Sequence, residues 1–536
     1  MMMNKANNPQ DVWSEYQKCV SYKANLELFD KVERNEAFYI GEQWKGLENV
    51  TDLDKPVVNF LGRVVGYFVS TITSDRIGVN CKLFNTPKSD ETDKIIKIIE
   101  AQIEQAIEVC ELNGQSKDFV RYCAVDGDIG AHIYFDPNAP SGQDAKGLVA
   151  VEPISNLDVC FGNRQELNVE KQPWIIIASR VSVGELKEKL KGQEDAQMVA
   201  ADSAPYESDI AQKDDSERVT LLTKYFKRDG VVWRYQSTEG VEVTSETEMG
   251  YKRYPVAWWT WEPVKDSYHG QAAITTLIPN QIAINKAYAM ALKQQRDLAF
   301  RKILYNKQVF PDGFNNRIGA IGVDGDPKEA AFVISGSADI PDSIIPMINS
   351  ILSSTKDMMG ASDAALGNVN PDNTSAIIAV QQATAVPLEL KKRAFQQFIE
   401  DIVRSMLEII TTDYGERGIV VADALGNEQY EWFDFGTLKE KVLRLKIDVG
   451  GTNYWTPEMQ AKQVENLWDA DIITSRTQFL ENLPDGILEN KAKLLAEIKQ
   501  EESAINAMQQ MQGGNAGLAA GGTTTGVALP TLQAGS

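Results

Sequence analysis

Histidine is nearly missing: only His132 and His269 occur among 536 residues. That excludes a histidine-rich metal centre and leaves no room for several imidazole-based catalytic sites. Cysteine is scarce and unpatterned. Cys19, Cys81, Cys110, Cys123 and Cys160 are odd in number, far apart and never spaced C-x-x-C. Neither a disulfide framework nor a cysteine zinc site is expected, and the usage fits a reducing cytosol. Long apolar runs are also lacking. The densest, residues 174–178 and 256–261, fall far short of the roughly 20 residues that span a bilayer, so no membrane association is expected. Residues 1–10 are polar without an apolar core, so no signal peptide is expected either. Basic residues are in deficit: Lys plus Arg number 54 against 76 Asp plus Glu, a net charge of −22. A protein that coats nucleic acid shows the opposite balance. The acidity speaks for solubility and mutual repulsion, and any DNA partner has to be handled locally or transiently.

The catalytic signatures are missing as well. There is no G-x-x-x-x-G-K-[ST] phosphate cradle, no G-x-S-x-G elbow, no H-E-x-x-H pair and no G-x-G-x-x-G following a strand. Paired carboxylates carry no information in a chain with 76 acids. Asp126-Gly127-Asp128 near His132 is the best metal-like cluster, and a surface turn is its simpler reading. Trp258-Trp259-Thr260-Trp261 offers rings for stacking on sugars or bases, but reads more simply as a core strand. The expectation is a non-enzyme without metal or cofactor.

What is present is a globular composition, 43% hydrophobic and 24% charged, long enough for three to four domains at about 150 residues each. Residues 11–45 read as helical. A turn at 55–60 leads into a second helix with Val64, Val65, Phe68, Val69 and Ile72 at three- and four-residue spacing, one buried face. A further helix is expected over 89–112, ending near Gly114. From about 130 to 262 the pattern changes to short β-branched and aromatic runs: 131–135, 148–154, 174–180, 219–226, 231–235 and 256–261. A charged helix (183–190) and an acidic stretch read as a mobile loop (200–218) interrupt them. Helical segments near 270–300 and 341–359 bracket a β-rich excursion with runs at 303–310, 318–323 and 331–334. A Gly/Asn/Asp loop leads into the longest helical pattern, 375–414, which Pro387 should kink or split. Strands are expected at 419–422, 429–433 and 442–449, helices over 457–510, and a disordered Gly/Ala/Thr tail from 513.

Four stretches carry a resemblance. They are Phe38-Tyr39-Ile40-Gly41-Glu42-Gln43-Trp44; Pro56-Val57-Val58-Asn59 running on to Arg76-Ile77; Tyr268-His269-Gly270 with Leu277-Ile278-Pro279-Asn280-Gln281 and Asn285; and Gly360, Leu366-Gly367 and Asn373-Thr374-Ser375-Ala376-Ile377. In this order and spacing the chain resembles the portal proteins of tailed bacteriophages, the head-to-tail connectors, of the P22-like type.

The resemblance implies an α+β multidomain portal fold. Residues 1–266 would form N-terminal helices and wing, 267–300 a stem helix, 301–340 a clip and 341–359 a second stem helix. A tunnel loop (360–374), a long kinked helix (375–415), wing strands (416–456), a helical crown (457–512) and the tail (513–536) would follow. It also implies a ring of about twelve copies at one capsid vertex of the virion, closed by heterologous contacts and made in the host bacterial cytoplasm. Double-stranded DNA would pass through it during packaging and ejection. Its partners would be the terminase large subunit, major capsid and scaffolding proteins, and tail or adaptor proteins. Asn368, Asn370, Asp372, Asn373, Thr374 and Ser375 would line the channel, although Asn373, Thr374 or Ser375 would equally serve to cap the next helix. Lys286, Lys293, Arg296, Arg301 and Lys302 are candidates for DNA phosphate contact, and solvated helix faces look the same. The subunit charge, repeated round a ring, would give a wall that repels phosphate, unless the acids face outward. The rival expectation is a phage structural or adhesion scaffold without a channel.

Overall fold

The computed structural model describes residues 7–45, 54–74, 76–83, 90–191, 194–203, 217–299, 303–308, 331–333, 344–358, 374–422, 428–439, 445–449, 457–470, 472–473 and 475–483, with a few single positions besides. They divide into two compact units, Met1–Gly418 with Trp432–Gly450, and Ile419–Glu431 with Gly451–Ser536. Helix and sheet are mixed throughout the larger one, as the α+β expectation requires.

The larger unit opens with α1 (Pro9–Asn25) and α2 (Leu28–Ile40), where the sequence suggests one helix over 11–45. The break has a packing reason. Val12, Tyr16 and Cys19 of α1 are buried against sheet residues such as Cys160, Ile176 and Leu222. Leu28, Ala37 and Phe38 of α2 are buried too, on a helix that packs against α5 (Leu112–Asp126). One straight rod cannot serve both, and Glu27 at φ 54 makes the turn. The helix α3 (Phe60–Ile72) buries the expected stripe through Val64, Val65, Phe68 and Ile72. Strand β1 (Val79–Leu83) precedes α4 (Asp90–Val109). The expected stop at Gly114 is misplaced: that glycine lies in the first turn of α5, and Glu111 at φ 51 makes the break instead.

Two antiparallel sheets follow. One has the order β3 (Leu148–Ser155), β2 (Asp128–Asp136), β9 (Val256–Thr260). The other has the order β4 (Val159–Phe161), β5 (Trp174–Ser182), β6 (Arg218–Arg228), β7 (Val231–Ser237), β8 (Glu242–Glu248). All six β-like runs expected between 130 and 262 are strands, whereas β1, β4 and β8 carry too few apolar residues or are too short to stand out. The charged helix is α6 (Val183–Lys189). In the acidic stretch Asp202 is ordered, accepting from Arg180 and from Thr220 N; residues 204–216 lie outside the described ones.

Next comes a helical hairpin. Helix α7 (Ile278–Ala299) starts eleven residues later than the 267–300 segment suggests, with Pro279 in its first turn, where a missing N–H costs nothing. It packs against α8 (Ile344–Met358). Asn280 near the start of α7 donates to Thr355 Oγ1 near the end of α8 at 3.0 Å, so the two run antiparallel. Between them β10 (Ile303–Tyr305) pairs antiparallel with β11 (Ala331–Val333); the run expected at 318–323 lies outside the described residues. Helix α9 (Thr374–Asp413) then passes through Pro387 without being split in two. Its Phe395, Phe398, Ile402, Val403 and Met406 are buried, and it lies along α3, β2 and β9. Phe398 meets Phe119 edge-on at 5.2 Å. Strand β14 (Leu445–Val449) closes back on β1, with Val79 opposite Val449.

Strands β12 (Glu416–Ala422) and β13 (Glu428–Asp434) form a two-stranded sheet. Helices α10 (Pro457–Asp469) and α11 (Arg476–Asn482) join through Trp468 and Phe479, whose rings lie 5.0 Å apart.

Candidate functional site

Three of the sequence stretches that carry the resemblance meet in one buried knot of amides. Gly41, at φ 100, ends α2 in the left-handed conformation that a side chain would strain. The chain reverses there, and Gln43 folds back so that its Nε2 donates to Phe38 O at 2.9 Å and to Asn59 Oδ1 at 3.2 Å. Asn59 caps α3 through Gly62 N at 3.1 Å and donates to Tyr39 O at 2.8 Å. Trp44 Nε1 donates to Pro56 O at 2.9 Å. From the other side come Gln281 and Asn285, four apart and therefore on one face of α7. Asn285 Nδ2 donates to Gln43 Oε1 at 2.6 Å, and its Oδ1 accepts from Val58 N at 3.2 Å. Gln281 Nε2 donates to Val58 O at 2.7 Å and to Asn285 Oδ1 at 3.0 Å. Gln43, Gln281 and Asn285 are each 2% exposed or less. Such a network is costly if any member is lost, since the remainder stays buried without water.

The other part of the third stretch forms a second cluster beside the start of α7. His269 Nδ1 and Gly270 N both meet Asp128 Oδ2, at 3.1 and 2.7 Å. Asp128 is 0% and His269 3% exposed. Tyr268 lies 4.0 Å from the His269 ring, centroid to centroid, and Tyr22 stacks on both. Glycine is required here for space. A Cβ on Gly270 would come within 2.0 Å of Thr260 Cγ2, and one on Gly127 within 3.0 Å of Gly270 O. The metal-like cluster of the sequence is thus corrected in two ways. Asp126-Gly127-Asp128 is an interior turn and not a surface one, and its histidine is His269, 141 positions away. His132 instead shares a 2.9 Å hydrogen bond with Tyr225 OH. Among the described residues no group of three or more His, Cys, Asp and Glu is placed to hold a metal ion.

Asp126, His269, Asn35 and Thr275 border a cavity of about 280 Å³. Burial pushes the Asp126 carboxyl up to about 8, and repulsion from Glu36 and Asp128 adds to this against the opposing pull of Arg121. Among the described residues His269 Nε2 is buried without a partner. The histidine–aspartate pair could orient a base, but no nucleophile donates to that nitrogen among the described residues. What the pair does visibly is hold the 267–270 turn against β2, just ahead of α7.

The expected phosphate contacts are only partly described. Lys286 and Arg296 of α7 are exposed and Lys293 half-buried, and Arg296 Nη1 lies 3.4 Å from Asp54 Oδ1. Arg301 and Lys302 lie outside the described residues, as do Asn368, Asn370, Asp372 and Asn373. Thr374 and Ser375 are the first two residues of α9. The Trp258–Trp261 run is core: Trp259 and Trp261 are buried, Trp259 against Phe395 at 5.3 Å.

The α7–α8 hairpin has one further property. Tyr288, Met290 and Leu292 on α7 and Ile345 and Met347 on α8 are each at least 38% exposed. No family model matches the chain, and no curated protein matches it.

Proposed function

We propose that the chain is a portal subunit, a ring-forming conduit for double-stranded DNA at a phage capsid vertex, and not an enzyme. The observation that carries this reading is the exposed apolar surface of the α7–α8 hairpin. Tyr288 and Leu292, four apart, share one face of α7, while Met290 lies on another and Ile345 and Met347 on two faces of α8. The hairpin thus leaves apolar side chains uncovered on more than one side, as copies packed against both flanks would require. A hairpin tipped by the short β10–β11 ribbon and rooted in the two polar clusters suits a stem and clip, with copies packed side by side about an axis. Contacts of that kind use different faces on each copy and close into a ring. The resemblance supplies the occupant of the hole, DNA in transit, and the outer partners: terminase, capsid and scaffolding proteins, and tail or adaptor proteins. The absence of a P-loop agrees with a separate motor. The experiment is electron microscopy of the purified full chain with mass measurement. Rings of about twelve copies with an axial hole are expected. A persistent monomer at high concentration, or assemblies solid at the axis, would overturn the reading in favour of a scaffold without a channel.

A further inference from the structure

Two sheets facing one another normally fill the space between them with interdigitated apolar side chains, about 10 Å thick. Here both sheets use their apolar faces elsewhere. The five-stranded sheet turns Ile176, Leu222 and Tyr235 to α1. On β2, Ala131 and Ile133 are fully buried, and the strand packs against α5 and α9. Because side chains alternate along a strand, the opposite parity is left facing the gap: His132 and Tyr134 on β2, Thr223 and Tyr225 on β6, Arg234 and Gln236 on β7. These residues line a cleft of about 840 Å³, inside the range of small-molecule sites, about 300–1,000 Å³.

Most of the polar groups in it are mutually satisfied. Gln236 donates to Thr223 Oγ1 and accepts from Thr244 Oγ1, both at 3.0 Å. Tyr134 OH donates to Glu152 at 2.5 Å, which occupies that carboxylate. His132 and Tyr225 share their hydrogen bond across the gap. Arg180, also on the wall, is taken by Asp202. Among the side chains that face the gap from β2, β6 and β7, Arg234 is the exception. Its Nε is buried without a partner, and among the described residues no carboxylate or carbonyl accepts from its guanidinium. Asp413, whose carboxyl feels the Arg234 charge, is held by Tyr251 OH at 2.5 Å. Lys189 adds a second cation to the lining, which also carries the carboxylates of Asp136, Glu152 and Asp158, so the anion is placed at the Arg234 end of the cleft. Burial together with the Arg234 charge pulls His132 down to about 4, so the imidazole is neutral at physiological pH and Arg234 is left as the charged donor.

We infer that this inter-sheet cleft binds a small organic anion, a carboxylate or phosphate ester, with its charged group on Arg234 and its polar groups on the hydroxyl and amide wall. A planar guanidinium with five donors suits either acid. The inference does not rest on the ring reading. The test is titration calorimetry of the full chain with citrate, with glycerol 3-phosphate, and with glycerol as the neutral control. One of the two anions should bind with Kd below about 1 mM and glycerol should not. Arg234→Gln should weaken binding at least tenfold with unchanged circular dichroism. Should that variant fail to fold, Tyr225→Phe keeps the shape and should weaken binding measurably. No binding by either anion at 10 mM ligand, equal binding of glycerol, or full affinity in the folded variant would each overturn the proposal.

Discussion

Asp126 keeps its proton at neutral pH because its carboxyl is enclosed and already faces Glu36 and Asp128, with Arg121 the opposing charge. The unfolded chain has an ordinary carboxyl near about 4. Between about 4 and about 8 the folded protein therefore holds a proton that the unfolded chain has released. Stability falls as pH rises through that window and levels off above it. Asp126→Asn removes the titration, and Asn35 and Thr275 on the same cavity offer it partners. Relative to wild type, the variant should gain on the order of 2 kcal/mol on going from pH 5 to pH 9, after discounting for the partial exposure of the group. Urea midpoints at the two pH values measure it, and parallel curves for the two proteins would reject it. The neighbouring Asp128 differs in being matched: two donors already serve its Oδ2.

Helix α7 is held as an element by hydrogen bonds as well as by its buried Ile278, Ile284, Ala287 and Ala289. Its root is tied to the 38–59 segment by Gln281 and Asn285, and to α8 by Asn280. Asn285→Ala deprives Gln43 Oε1, Val58 N and one Gln281 donor of their partners at once, in a place water does not reach. A loss of about 2–4 kcal/mol is expected. Amide hydrogen exchange should rise first in residues 41–45 and 54–59 and at the start of α7. A loss under about 0.5 kcal/mol, the size of a surface substitution, would show that the knot does not anchor the helix.

Across the whole molecule the charge of −22 opposes lasting contact with phosphate. Exposed Lys286 and Arg296 are few beside 76 acids, and Arg296 already faces Asp54. The isolated chain should not retard a linear DNA duplex at 0.15 M salt and up to about 10 µM protein, because unspecific binding grows with the number of phosphates neutralised. Retention that falls steeply with salt would instead reveal a basic surface that the total charge conceals. Weak binding would accord with the proposed channel, through which DNA would have to move.

The sequence by itself determined the elements with strong periodicity. The α3 stripe, the six β runs between 130 and 262, and the long apolar face of α9 follow from side-chain spacing along a single segment, which the chain order carries in full. Helix breaks at Glu27 and Glu111 were decided by tertiary packing, because neighbouring segments bury their faces against different partners and a non-glycine residue accepts the left-handed turn. Partnerships across long separations were likewise decided only in three dimensions. Asp128 goes to His269 and not to nearby His132, Gln43 meets Asn285 242 positions away, and among the described residues Arg234 is left without an acid. Spacing reports which side chains share a face. Which faces meet, and which polar group is left over when they do, depends on how the sheets and helices close together.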